Sequence, residues 1–288
     1  LDQGNCFALV DMKNKVEKFY RLPFVSNGCL WCFQMIKNEV QYVYSRLPQQ
    51  TSGPGDPVNG PIMSYMRYAA EDDNPFKCEI IRKGFLISVL TSVDNAHVYL
   101  VNDKIVYIVD TDANDDKKVK EVAFDEVYGA GLDTKGYLYV TGKRTEIKDK
   151  KELVSEGLSC FNKEGKISWN LPISDELSRI QPPAVQADGS IFFVAGKSLK
   201  KIINPEVAFS KTTTGWSFEL PCESGKALFS ILPDGSVLAA AGMGLLHIDK
   251  NGKLMKQLFF SEQLVCRPVT DSNGNIFVGS ATKLYCVR

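Results

Sequence analysis

Residues 186–196, QADGSIFFVAG, join a turn at Asp188-Gly189 to a strand that runs to Gly196. An Asp-Gly or Asn-Gly pair tolerates the positive φ of a tight hairpin turn, and the strand after it alternates side chains between two faces. The same phrase recurs as Asn38-Glu39 before VQYVYS, Asp94-Asn95 before AHVYLV, Lys135-Gly136 before YLYVTG, Asp234-Gly235 before SVLAAAG and Asn273-Gly274 before NIFVGS. Successive copies start 56, 41, 53, 46 and 39 residues apart, close to the roughly 40–45 residues of a four-stranded propeller blade. One such unit cannot bury both its faces, whereas units stacked around an axis can. The sequence therefore predicts an all-β chain, a β-propeller of four-stranded blades, as a single domain over residues 1–288.

The strands around each copy extend the pattern. With strands lettered A to D from the axis outwards, LSCFNKEGK (158–166), LLHIDKNGK (245–253) and IVYIVDTDANDDKK (105–118) read as C strands ending in polar turns. Three D strands end alike, at Tyr20-Arg21-Leu22-Pro23, Trp169-Asn170-Leu171-Pro172 and Phe218-Glu219-Leu220-Pro221. The aromatic is placed to pack between blades, and proline suits an outer edge strand because its missing N–H is tolerated there. The chain ends in KLYCVR, a C strand without a D strand, and an N-terminal D strand, KVEKFYRLP, could pair with it to close the ring. That closure predicts six blades; the extra strand CFALVD keeps seven as the alternative.

The segments FNKEGKISWNLP (161–172) and QPPAVQADGSIFFVAG (181–196) resemble the repeat of the PQQ-like, quinoprotein-type propellers, and the match runs from about residue 127 to the end. The resemblance implies a propeller of that repeat type. Its members include quinoprotein dehydrogenases and cofactor-free scaffolds such as the outer-membrane assembly lipoprotein. The adjacent-cysteine pair that the resemblance would require beside a quinone is absent, and the chain is about half the dehydrogenases' length, so PQQ is not expected and the scaffold members are the nearer likeness.

Composition narrows the function. The 34 basic and 34 acidic residues cancel, which leaves no global field for nucleic acid or an acidic membrane surface. No run approaches the roughly 20 apolar residues of a membrane-spanning helix. The start Leu1-Asp2-Gln3, without an initiator Met, suggests a removed leader and an extracytoplasmic location, periplasmic, secreted or at the cell surface.

Candidate sites follow from strand polarity. B–C and D–A connections should share one face, which would carry the insertions TSGPGDPVNG (51–60) and KRTEIKDKKELVSE (143–156) and the connections PISDELSRIQ and PCESGK. Long connections on a rigid scaffold are where binding residues sit. Arg144 and Lys148 belong to a mixed-charge basic patch with Lys143, Lys150 and Lys151, while Arg179, Gln181, Glu223 and Glu262 are expected nearer the channel mouth. Asp110, Asp112, Asn114 and Asp116 have the oxygen spacing of a calcium loop, with Glu121 at the twelfth position. Asp115 stands where the loop needs glycine, and Lys117, Lys118 and Lys120 add positive charge, so a polar C–D turn is the competing reading.

Cys29-Leu-Trp-Cys32 has redox spacing, but residues three apart in a strand face opposite ways, so two packed thiols are expected. Cys160, Cys286 and His247 share a core slot with Leu9 and Ile108. With His97 and His247 the only histidines, a His-rich metal centre is excluded, and Trp31, Trp169 and Trp216 read as structural wedges. The function expected is a non-catalytic binding or scaffold propeller without a cofactor, presenting its loop face or channel mouth to a protein, peptide or carbohydrate. The alternatives are a metal-assisted hydrolase, lactonase or lyase, with Ca²⁺ as one candidate ion, and a quinoprotein dehydrogenase.

Overall fold

A computed structural model describes residues 6–11, 15–21, 28–36, 39–46, 62–68, 76–83, 86–111, 119–148, 151–202, 214–223 and 225–288, with side chains from residue 86 onwards except 146–148, 151–153 and 214. Every regular element among them is a strand. A two-stranded sheet, β1 (Cys6–Asp11) and β2 (Lys15–Arg21), comes first. Five four-stranded sheets follow. They are β3 (Gly28–Ile36), β4 (Glu39–Arg46), β5 (Ile62–Tyr68) and β6 (Phe76–Lys83); β7 (Leu86–Thr91), β8 (His97–Asn102), β9 (Ile105–Asp110) and β10 (Val119–Ala123); β11 (Glu126–Leu132), β12 (Leu138–Lys148), β13 (Lys151–Phe161) and β14 (Ile167–Pro172); β15 (Ala184–Val185), β16 (Ile191–Ala195), β17 (Ser198–Ile202) and β18 (Thr214–Glu219); and β19 (Leu228–Ile231), β20 (Val237–Ala241), β21 (Gly244–Ile248) and β22 (Leu254–Phe259). A three-stranded sheet, β23 (Val269–Thr270), β24 (Ile276–Gly279) and β25 (Leu284–Val287), ends the chain. Within each sheet the strands run in sequence order and pair antiparallel.

All six copies of the repeated phrase begin the second strand of a sheet: β4, β8, β12, β16, β20 and β24. In the five described copies the turn before it is closed by one backbone bond, as from Gly189 N to Gln186 O and from Gly235 N to Leu232 O, and two copies add a side-chain cap. Asp133 Oδ1 accepts hydrogen bonds from Lys135 N and Tyr137 N, and Asp271 Oδ1 does the same for Asn273 N and Asn275 N. Such side-chain caps hold a turn that needs a left-handed residue. That residue is Gly136 at φ 86° in one copy and Asn95 at φ 56° in another.

The order of the cores shows how the sheets stack. Alternate residues of the second strands go to opposite clusters. Tyr99 and Val101 of β8 join Leu138 and Val140 of β12, whereas Tyr139 of β12 joins Ile191 and Phe193 of β16. Phe192 and Val194 in turn meet Val237 and Ala239 of β20, and Leu238 and Ala240 meet Val278 of β24. From β7 onwards each sheet thus lies face to face with its neighbour in chain order. β16 and β20 are buried along their whole length because both their faces are covered.

The first strands of successive sheets also approach one another, β3 with β7, β7 with β11, and β11 with β15. Glycine permits the tightest of these approaches, since a Cβ on Gly131 would lie 2.3 Å from Pro183 O. Sheets stacked face to face with their first strands converging form a β-propeller. Trp169 is buried beside Tyr139, and Trp216 packs against Phe192 and donates from Nε1 to Lys250 O (2.9 Å), the structural roles expected of them.

Several sequence readings need revision. KRTEIKDKKELVSE is not a loop: β12 and β13 stay paired from Lys143↔Glu156 to Lys148↔Lys151, extending the hairpin beyond its sheet. Among the described ladders β2 pairs with β1 and none joins β2 to β25, so the expected edge closure is not among them. Cys160 is buried as expected, but Cys286, in the same slot, is exposed. The reading of Cys29 and Cys32 assumed an unbroken strand, whereas the ladder of β3 shifts register between Leu30 and Cys32, with Cys29 opposite Ser45 and Cys32 opposite Val43. The insertion 51–60, most of the connection 205–214, and Asp112, Asn114 and Asp116 lie outside the described residues.

Candidate binding cleft on the loop face

The B–C and D–A connections do share a face, because they hydrogen-bond to one another along the chain. Phe124 N donates to Lys104 O (2.7 Å), Ile173 N to Glu156 O (2.9 Å), Gly225 N to Gly196 O (2.9 Å) and Leu264 N to Gly242 O (2.8 Å). Each of these bonds fastens a D–A connection to the B–C end of a sheet. The connections are therefore part of a continuous hydrogen-bonded rim.

A cleft of about 390 Å³ opens on this rim, lined by Tyr128, Lys143, Glu156, Asp175, Glu176 and Arg179 together with Ile173 and Ser174. Its floor comes from a bulge. Between Val127 and Gly129 the first strand carries one extra residue, Tyr128, and the same irregularity occurs at Trp31 in β3 and Ile87 in β7. A bulge re-aims the side chain it inserts. Tyr128 is buried and lies under Arg179, whose Cζ is 4.3 Å from the ring centroid. That spacing is a cation–π contact. Burial, followed by the nearby charges of Glu156 and Glu126, pushes the Tyr128 hydroxyl up to about 12, so it is protonated at neutral pH.

Arg179 is oriented from the side. Its guanidinium grips Glu126 through both terminal nitrogens, Nη2 lying 3.3 Å from Oε2, and Nη2 also lies 3.5 Å from the Tyr128 hydroxyl. The Arg179 hydrogen bond holds the Glu126 carboxyl below the usual carboxylate range. Lys143 Nζ stands 3.7 Å from Glu156 Oε2, and Lys200 Nζ stands 2.5 Å from Asp175 Oδ2. The cleft thus presents both signs of charge on partly exposed side chains whose positions are fixed by pairing.

The residues expected from sequence divide. Arg179 lies in the cleft, and Arg144 follows Lys143 on β12, with its guanidinium 5.7 Å from the Phe161 ring. Lys148 ends β12, at the far end of the extended hairpin. Gln181 is buried and committed to structure: Oε1 accepts from Phe229 N (3.1 Å) and Nε2 donates to Pro182 O (3.1 Å), tying two sheets together. Glu223 pairs with Lys226 on its own connection (2.5 Å). Glu262 accepts from Lys283 Nζ, Ser280 Oγ and Thr282 Oγ1, which hold its carboxyl down at about 2. Both carboxylates are thus bound locally. Asp110 ends β9 and Glu121 lies in β10, on two adjacent paired strands.

The sequence reading missed Tyr128, Glu126, Glu156, Asp175 and Glu176. Glu126 and Tyr128 flank Val127 in EVYGAGL, where the apolar alternation breaks; that break was the available signal. Among the described residues no group of three His, Cys, Asp or Glu side chains converges as metal ligands. Among them, too, no helix is long and apolar enough to cross a membrane.

No family model matches the chain, and no curated protein matches it. The fold is that of known propeller-type structures. Dihydro-heme d1 dehydrogenase NirN, solved in complex with DHE, superposes with a TM-score of 0.62 over 98% of this chain at 13% identity, the match spanning 58% of NirN. A protein provisionally named a gluconolactonase gives a TM-score of 0.44 at 10% identity, covering 78% of this chain and 83% of its own. A protein of unknown function from Bacteroides caccae gives 0.42 at 14% identity, covering 67% and 71%. At these identities the likeness to NirN is one of fold: the chain is an all-β, propeller-type protein.

Proposed function

We propose that the protein is a non-catalytic binding propeller, working outside the cytoplasm, that receives a protein or peptide partner on its loop face at the Tyr128–Arg179 cleft. The observation that carries this reading is the cleft's surface: Arg179, Glu126, Lys143, Glu156 and Asp175 are all partly exposed yet each is already held by an opposite charge. Preorganised groups of both signs suit a polypeptide, whose backbone and side chains offer donors and acceptors together, and ordering them in advance lowers the cost of binding. A carbohydrate subsite would need an open aromatic face. Here the Tyr128 ring is capped by Arg179 at 4.3 Å, which favours the polypeptide.

The test uses the chain as bait in extracts of its source organism, comparing wild type with Arg179→Glu. Breaking an exposed ion pair costs about 0–1 kcal/mol, so the melting temperature should hold while the main captured polypeptide is lost. Undiminished capture by a folded Arg179→Glu variant would show that the cleft is not the binding site.

A further inference from the structure

In the sheet β11–β14 the two middle strands outrun the outer ones. The β11–β12 ladder stops at Glu126↔Lys143 and the β13–β14 ladder at Gly157↔Pro172, whereas β12 and β13 stay paired as far as Lys148↔Lys151. Beyond Lys143 and Glu156 this ribbon has no flanking strand among the described residues. Pro172 ends β14, and after Ile173 the chain turns to the next sheet, where Asp175 pairs with Lys200 and Leu177 bridges to Ala195. The line along which β14 would have continued beside β13 is left open among the described residues.

One bond fixes which backbone groups face that line. Ile173 N donates to Glu156 O (2.9 Å), so the Glu156 carbonyl points away from β12. Successive residues of an antiparallel strand alternate the edge to which their N–H and C=O point. The backbone groups of Val154 and Glu152 therefore face outward as well, while those of Leu153 and Ser155 face β12. Natural edges are commonly blunted by proline or a bulge, and neither interrupts β13 between Lys151 and Glu156. Val154 is 67% exposed. On the other edge of the ribbon Thr145 Oγ1 is bonded to Asp125 Oδ2 (2.7 Å), so a side chain already stands beside β12 there.

We propose, resting on the polypeptide reading of the loop face, that the outward edge of β13 at Val154 and Glu152 receives an extended segment of the partner as an added antiparallel strand, in the line of β14. An extended polypeptide repeats a donor and an acceptor at the spacing of alternate strand residues, which is what this edge offers. The register also selects a side chain. Residues directly opposite in a ladder share a face, so the segment's residue opposite Val154 joins the face of Trp169, Leu171 and Ile173, the row by which β14 packs towards the next sheet. An apolar residue there extends that row and takes the exposed surface of Val154 out of water. Ile173 and Glu156 also line the charged cleft, which places the added strand at its border.

The probe is a short synthetic peptide selected from a displayed random library on the full chain, and the readout is amide hydrogen exchange. The bound peptide should slow exchange at Val154 and Glu152 and change little at Leu153 and Ser155, which already face β12. N-methylation of the peptide should weaken binding about tenfold at every second residue and leave the residues between unaffected. Val154→Pro removes an outward N–H without removing a bond to β12, and should also weaken binding about tenfold. The methylation series makes the same test on the wild-type chain if that variant does not fold. A peptide that is lost in Arg179→Glu, yet leaves Val154 and Glu152 exchanging freely and tolerates every methylation, would overturn strand addition while the cleft reading stands. Failure to enrich any peptide on the wild-type chain would overturn both. Slow exchange at Val154 and Glu152 in the peptide-free monomer would mean that the edge is already covered, and would overturn strand addition too.

Discussion

The two faces of the propeller are built by opposite rules. On the turn face, four A–B and C–D turns repeat one device: Asp133, Asn162, Asp249 and Asp271 each cap two backbone amides through Oδ1, and a positive-φ glycine follows three residues later. On the loop face the described D–A connections range from the two residues between β10 and β11 to the eleven between β14 and β15, and one B–C hairpin extends to Lys148. Repetition on one side means that each turn is solving the same geometric problem. Variation on the other means that those connections answer to something besides the fold, and that is where the charged cleft opens.

Substitutions on each side, and in the core both sides share, can break or sharpen this contrast. The largest effect is expected at Phe192, which is fully buried between two sheets and touches Trp216 and Phe229. Phe192→Ala should cost about 3–5 kcal/mol in denaturant unfolding, and a loss below 1 kcal/mol would mean that those sheets do not stack. Next is Gln181→Leu, which strands the buried Phe229 N–H now satisfied at 3.1 Å; about 1–3 kcal/mol should be lost without any specific effect on partner capture beyond that instability.

Smaller effects separate the two faces. Gly136 has φ 86° and open space around a would-be Cβ, so Gly136→Ala tests backbone strain alone. About 1–2 kcal/mol is expected, with capture retained. The mildest prediction concerns pH. Glu262 is held at about 2 by its three donors, below the ordinary carboxylate value of 4.5. A depressed carboxyl stabilises the fold fully above its unfolded pKa and loses that contribution as pH falls through the folded one. Wild type should therefore lose stability relative to Glu262→Gln as pH falls from about 4.5 to about 2; parallel curves would show that the Ser280, Thr282 and Lys283 bonds contribute nothing.

The architecture was legible because its signal is local and repeated. Asp188-Gly189 before IFFVA states both the turn and the buried strand, and six such statements at regular intervals leave few other folds. The cleft was not legible for the opposite reason. Tyr128 enters it through a bulge, and a one-residue irregularity alters register without a distinctive residue type. Arg179 was recognisable as a charged residue on a loop, but its partner Glu126 lies 53 positions away in sequence and meets it only once the sheets are stacked. Gln181 misled because a polar residue beside an exposed arginine gives no sign that it is buried. The 143–156 segment misled because a charged, aperiodic sequence reads as a loop even where the backbone remains a paired hairpin.

The measurement that bears most directly on the division between the faces is a matched charge reversal. Lys143→Glu with Arg179→Glu alters the loop-face cleft, and Lys163→Glu with Lys250→Glu alters two exposed turn-face positions by the same amount. Capture of the principal partner by each folded variant is compared at fixed bait concentration. The loop-face pair should lose capture and the turn-face pair should retain it; retention by the first with loss by the second would assign binding to the wrong side of the propeller.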